Sequence, residues 1–115
     1  MTSALNVSIE EPLGDTLTLT LTFQDSSGAA ESHSGSTWRG QVKTDKTSAS
    51  SAATFSFNTA SASSGIIVAT IAAATTAALT AEQTYYFDIE ETTSGGVVTT
   101  QMAGQIVWRQ DVSRA

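Results

Sequence analysis

Thr16-Leu17-Thr18-Leu19-Thr20-Leu21-Thr22-Phe23 is the stretch that decides the fold. Leu17, Leu19, Leu21 and Phe23 fall on one side of an extended chain and four threonines on the other, the period of two of a half-buried strand. A helix would scatter the leucines around its circumference. A strand gathers them on a core face and leaves the β-branched threonines on a wet or partner-covered one.

Toward the N-terminus, Asn6 to Glu10 sets Val7 and Ile9 among polar neighbours as a short first strand, and Pro12-Leu13-Gly14-Asp15 reads as the turn that follows. On the other side, Gln24 to Thr37 carries Asp25, Ser26, Ser27, Gly28, Ser34, Gly35 and Ser36 without apolar period, a surface connection. Trp38, Gly40 and Val42 then alternate with Arg39, Gln41 and Lys43 as a third strand, and Phe55 and Phe57 with Thr54 and Ser56 as a fourth. The β-branched run Ile66 to Ile71 is a fifth, too short for a helix. Ala72 to Glu82 reads as a crossover with a turn of helix, Thr80 being its candidate cap. Tyr85, Phe87 and Ile89 against Tyr86, Asp88 and Glu90 make a sixth strand. Thr92 to Gly96 turns the chain into a long last strand, Val97 to Trp108, with Gly104 at an expected bulge or bend.

Seven short strands without a long helix predict an all-β protein, an immunoglobulin-like antiparallel β-sandwich forming a single domain over residues 1–115. The predicted core is Leu17, Leu19, Leu21, Phe23, Trp38, Val42, Phe55, Tyr85, Phe87 and Ile89. The tyrosine pair Tyr85-Tyr86 at the start of the sixth strand, preceded by Leu79 and a short crossover, resembles a tyrosine corner, in which a phenol bonds back to upstream backbone.

Composition narrows the function. Charged residues are 14% of the chain against about 25% in an ordinary domain, and serine and threonine, at roughly thirty per cent, take their place. Five lysines and arginines and a net charge of -6 leave no basic stripe to release counterions from a phosphate backbone, so nucleic acid is not an expected partner. The absence of cysteine excludes disulfides, thiolate zinc sites, cysteine nucleophiles and iron–sulfur ligation. The longest apolar run, Gly65 to Ala74, falls far short of the roughly 20 residues of a spanning helix, and no signal-peptide pattern opens the chain. No membrane partner is expected, and the mature protein is read as the whole chain.

No cofactor, metal or catalytic residue is expected either. His33 sits between Ser32 and Ser34 in a loop that does not impose the geometry of a nucleophile and its base, and it reads as a solvated histidine. Asp88 and Glu90 share a strand face, with Glu91 and Asp111 nearby. Their spacing is not that of a calcium loop, and they read as a solvated face or as salt-bridge partners for Arg39, Lys43 or Arg109. Trp38, Trp108, Tyr85 and Tyr86 have the chemistry to stack sugar rings or bases, but core packing is the better account of Trp38 and Tyr85. Trp108, near a strand end, fits core or interface, and with Arg109, Asp111 and Arg114 it forms the candidate interface. Threonine-rich, weakly charged strands make flat edges that pair unless another chain covers them, so a homo-oligomer is expected.

The C-terminal half carries a resemblance. Tyr85-Tyr86-Phe87-Asp88-Ile89, then Gly95-Gly96-Val97-Val98-Thr99-Thr100, Ala103-Gly104-Gln105-Ile106-Val107-Trp108 and Asp111-Val112-Ser113-Arg114 resemble the small immunoglobulin-like modules of phage baseplate upper proteins. Ser113 stands where the pattern more often has threonine. The Trp38 to Lys43 strand and Gly14-Asp15 also fit, so the resemblance covers nearly the whole chain. It implies a non-enzymatic virion structural protein that contacts other virion proteins within a symmetric assembly, an adaptor at the tail, baseplate or fibre base. A capsid decoration protein is the alternative, and a carbohydrate-binding module a further one. The chain stops one residue after Arg114, and no host-binding domain is expected within it.

Overall fold

The computed structural model describes residues 5–48 and 50–110. Eight strands run in the order β1 (Leu5–Pro12), β2 (Leu17–Thr22), β3 (Thr37–Lys43), β4 (Ala53–Thr54), β5 (Ser56–Asn58), β6 (Ile66–Ile71), β7 (Thr84–Thr92) and β8 (Val98–Arg109). A 3-10 turn at Ala62–Ser64 precedes β6, and a five-residue helix, α1 (Ala73–Ala77), follows it. One sheet has the order β1-β8-β7-β3-β4 and the other β2-β6-β5. With β7 between β3 and β8, and β6 between β2 and β5, this is the strand order of an immunoglobulin-like sandwich.

Two details depart from the expected seven antiparallel strands. β1 runs parallel to β8, from Leu5 opposite Met102 to Pro12 opposite Arg109. Since β1 and β2 belong to different sheets, no hairpin joins them, and nothing obliges β1 to run antiparallel to its neighbour. The fourth strand also divides at Phe55: Ala53–Thr54 pairs with β3, while Ser56–Asn58 pairs with β6. Phe55 is buried at this crossing, and its N–H donates to the Gly40 carbonyl at 2.9 Å. A Cβ at Gly40 would come within 2.7 Å of the Phe55 ring, so the sheet switch needs the missing side chain.

Period two explains the core. Leu17 and Leu21 of β2 meet Ile71 and Ile67 of β6 across the ladder, and all four are buried. Val42, Phe55, Tyr85, Phe87 and Ile89 are buried as predicted, whereas Leu19, Phe23 and Trp38 are half-buried and pack against the cluster. Trp108 belongs to the core, not to an interface: it is 0% exposed, two residues beyond buried Ile106, and meets Tyr85 edge-on at 5.5 Å. Counting by two from Ile106 places its indole inward.

Two smaller readings are corrected. The sheet irregularity falls between Ile89 and Glu90, opposite Met102 and Thr100, rather than at Gly104. Gly104 is glycine because β1 runs so close that a Cβ would overlap the Val7 carbonyl oxygen. Thr80 is not a helix cap, since α1 begins after Ala72. The Thr80 N–H instead donates to the Tyr85 phenol at 2.8 Å, which is the tyrosine corner anticipated in the sequence.

Tyr85→Phe strands that amide, and urea denaturation should show a loss of about 1–2 kcal/mol with an unchanged slope. Trp108→Ala should cost about 3–5 kcal/mol in the same measurement, the range for emptying an aromatic core position.

Candidate functional site

The most elaborate polar arrangement lies where the β2–β3 connection folds over one end of the five-stranded sheet. The alternation that buries Tyr85, Phe87 and Ile89 continues one step and buries Glu91, opposite Trp38 on β3. Its side chain is 4% exposed. A carboxylate taken out of water needs donors on both oxygens, and Glu91 has three. Ser36 Oγ donates to Oε2 at 2.6 Å, His33 Nδ1 lies 2.6 Å from the same oxygen, and Gln101 Nε2 donates to Oε1 at 2.9 Å.

His33 is therefore not the solvated residue its serine-rich surroundings suggested. Its side chain is 10% exposed and stacks on Phe23 with ring centroids 4.0 Å apart, and its Nε2 lies 3.0 Å from Glu31 Oε1. The connection is also tied by backbone: the His33 N–H donates to Ala62 O at 2.9 Å and the Glu31 N–H to Phe23 O at 3.0 Å.

Burial acts to raise the Glu91 pKa, but the hydrogen bonds from Ser36, His33 and Gln101 prevail and hold it below the usual value of 4.5. The cluster is a structural clasp in form. Ser36 Oγ donates to the carboxylate rather than to the imidazole, so serine and histidine do not form the hydrogen-bonded nucleophile and base of an acyl-transfer site. Among the described residues no three histidine, aspartate or glutamate side chains are grouped to hold a metal ion.

Of the four sequence-predicted interface residues, the structure describes two, Trp108 and Arg109. Trp108 is internal, and Asp111 and Arg114 lie outside the described residues. Arg109 is exposed and spans two carboxylates, with Nε donating to Glu10 at 2.8 Å and Nη1 to Glu82 at 2.6 Å. These bonds raise its pKa further, Glu82 contributing most. Glu82, its own pKa lowered first by the Gln110 N–H and then by Arg109, stands at a φ of 64° on the turn before β7. Arg109 thus laces β1, β8 and that turn together.

The outer face of the five-stranded sheet holds the second polar assembly, a groove of about 600 Å³ crossing β1, β8, β7 and β3. Tyr86 lies in it with Lys46 Nζ 5.3 Å from its ring centroid. Of the four aromatics considered as a sugar or base platform, only Tyr86 lines this groove. Neither a protein-family model nor a curated protein matches the sequence. The class is therefore set by the fold, an all-β sandwich with a buried carboxylate clasp and a polar groove on its outer face.

A group whose folded pKa is depressed stabilises the fold above its unfolded pKa and loses that contribution as pH falls through the folded value. Glu91 should therefore add acid sensitivity below about pH 4.5, alongside the exposed acids Asp25 and Asp45, whose values are also lowered. Glu91→Gln should lose about 1 kcal/mol at pH 7 and show a shallower decline in melting temperature from pH 5 to pH 3, measured by circular dichroism.

Proposed function

We propose that this chain is a non-enzymatic virion structural protein of a tailed phage, an adaptor or attachment subunit at the tail, baseplate or fibre base that works through protein–protein contacts. The observation that carries this reading is the state of the sheet edges. β4 and β5 are edges of two and three residues, and β1 bears Glu10, Glu11 and Pro12 near its end; shortness, charge and proline are the ordinary protections of an edge.

β2 has none of these protections. It is an edge of six residues, Leu17–Thr22, without charge or proline, and Thr18, Thr20 and Thr22 are exposed along it. Among the described residues it pairs with β6 alone. A strand of this kind suits addition of another strand, from a neighbouring virion protein or a second copy, with backbone hydrogen bonds supplying affinity. Val97 and Val98, 61% and 59% exposed beside the β7–β8 turn, add an apolar contact point. In the Glu91 cluster Ser36 Oγ donates to the carboxylate and not to His33, a form in keeping with the same reading. A contact protein needs surfaces more than reacting groups.

The deciding measurement is quantitative mass spectrometry of purified particles of the encoding phage, counting this chain against the major capsid and tail-tube proteins. A ratio far below both is expected for a tail or baseplate adaptor. A ratio near that of the capsid protein would replace this reading with capsid decoration, and absence from particles would overturn it. In purified protein, Thr18→Lys with Thr20→Lys should abolish any oligomer seen by light scattering while leaving the melting temperature within a few degrees, because both side chains lie outside the core.

A further inference from the structure

From the outer face of the five-stranded sheet we infer a binding site for a short neutral oligosaccharide. Strand register builds this groove from two adjacent cross-strand rows. The first is Asn6, Ala103, Asp88 and Gln41, one residue from each of β1, β8, β7 and β3. The second is Ser8, Gln105, Tyr86 and Lys43 on the same strands. Ala103 is the only aliphatic member, and its small side chain, between Asn6 and Asp88, lowers the middle of the first row. Four strands spaced about 4.8 Å apart give a footprint of about two to three sugar rings.

The chemistry of the groove is selective. Among the described residues, the side chains of Asn6, Ser8, Gln41, Lys43, Asp88 and Gln105 have no hydrogen-bond or ion-pair partner in the chain. Three carboxamides that donate and accept, with a carboxylate that accepts, match vicinal hydroxyls that also do both. Tyr86 offers a ring face for the apolar face of a pyranose, and Lys46, now over that ring on an exposed loop, can withdraw and donate to a sugar oxygen. Nucleic acid fits poorly, because a chain of net charge -6 repels a polyanion and two lysines are offset by Asp88. An extended peptide would be drawn to the open backbone of a sheet edge rather than to a face whose backbone is already paired.

The site is independent of where the protein resides. It is tested by titrating the nitrogen-15-labelled full chain with maltohexaose, cellohexaose and xylohexaose, each to millimolar concentration, and following backbone amide shifts. At least one of these sugars should give saturable shifts clustered at Gln41, Tyr86, Ala103 and Gln105. Tyr86→Ala should weaken binding by roughly tenfold, equivalent to about 1.4 kcal/mol. Gln41→Ala serves as a second variant should loss of Tyr86 disturb the sheet, and it should also weaken binding while preserving the dispersion of the spectrum.

No saturable shift with any of the three sugars would overturn the site. So would shifts that map elsewhere, or affinities unchanged in both variants. Saturable binding of trigalacturonic acid alone would also overturn the neutral assignment, because it would show the lysines acting as an anion site.

Discussion

The inward row of β7, Tyr85-Phe87-Ile89-Glu91, is the constraint on which the rest of the structure depends. β7 lies inside the five-stranded sheet, with β3 on one side and β8 on the other. Tyr85 anchors the crossover through its phenol, Phe87 packs against Phe55 with ring centroids 6.0 Å apart, and Ile89 is fully buried. Glu91 ends the row by converting a core position into an electrostatic one. A slip of one residue would expose the aromatics and bring Tyr86, Asp88 and Glu90 inward, so the row fixes both faces together.

Inside and outside then follow different rules. An interior polar group must be satisfied, because its unmet desolvation is costly. Glu91 accordingly has a donor on each oxygen, and His33 has a carboxylate facing each nitrogen. The indole N–H groups of Trp38 and Trp108 are the exceptions among the described residues, each buried without an acceptor. On the outer face, water meets such groups without penalty, and side chains from four strands stand open in one groove. The clasp serves the fold, and the groove is available to a ligand.

Scarcity of charge also shapes the sheet edges. A domain with 14% charged residues has little with which to guard its sheet edges. Several of its charged residues are engaged away from β2: Arg109 with Glu10 and Glu82, Glu91 and Glu31 with His33, and Lys43, Lys46 and Asp88 in the groove. β2 is left with threonine on its outer row, compatible with water and equally compatible with a neighbouring strand. The groove lies on the opposite sheet from that edge, so the two surfaces do not overlap.

Alternation in the sequence was enough to place the all-β class, most of the strands, most of the core and the tyrosine corner, because each is a local pattern of one strand or one turn. It also contained two signals that needed only one more step of two: from Ile89 to Glu91, and from Ile106 to Trp108. Charge concealed the first and position near a strand end the second. Other features were not legible locally. The partnership of His33 with Glu91 joins residues 58 apart in sequence, and the groove joins side chains from four strands. The parallel course of β1 and the division of the fourth strand at Phe55 depend on which sheet each segment enters. Period two says which side chains share a face, but only the packed sheets decide what that face meets.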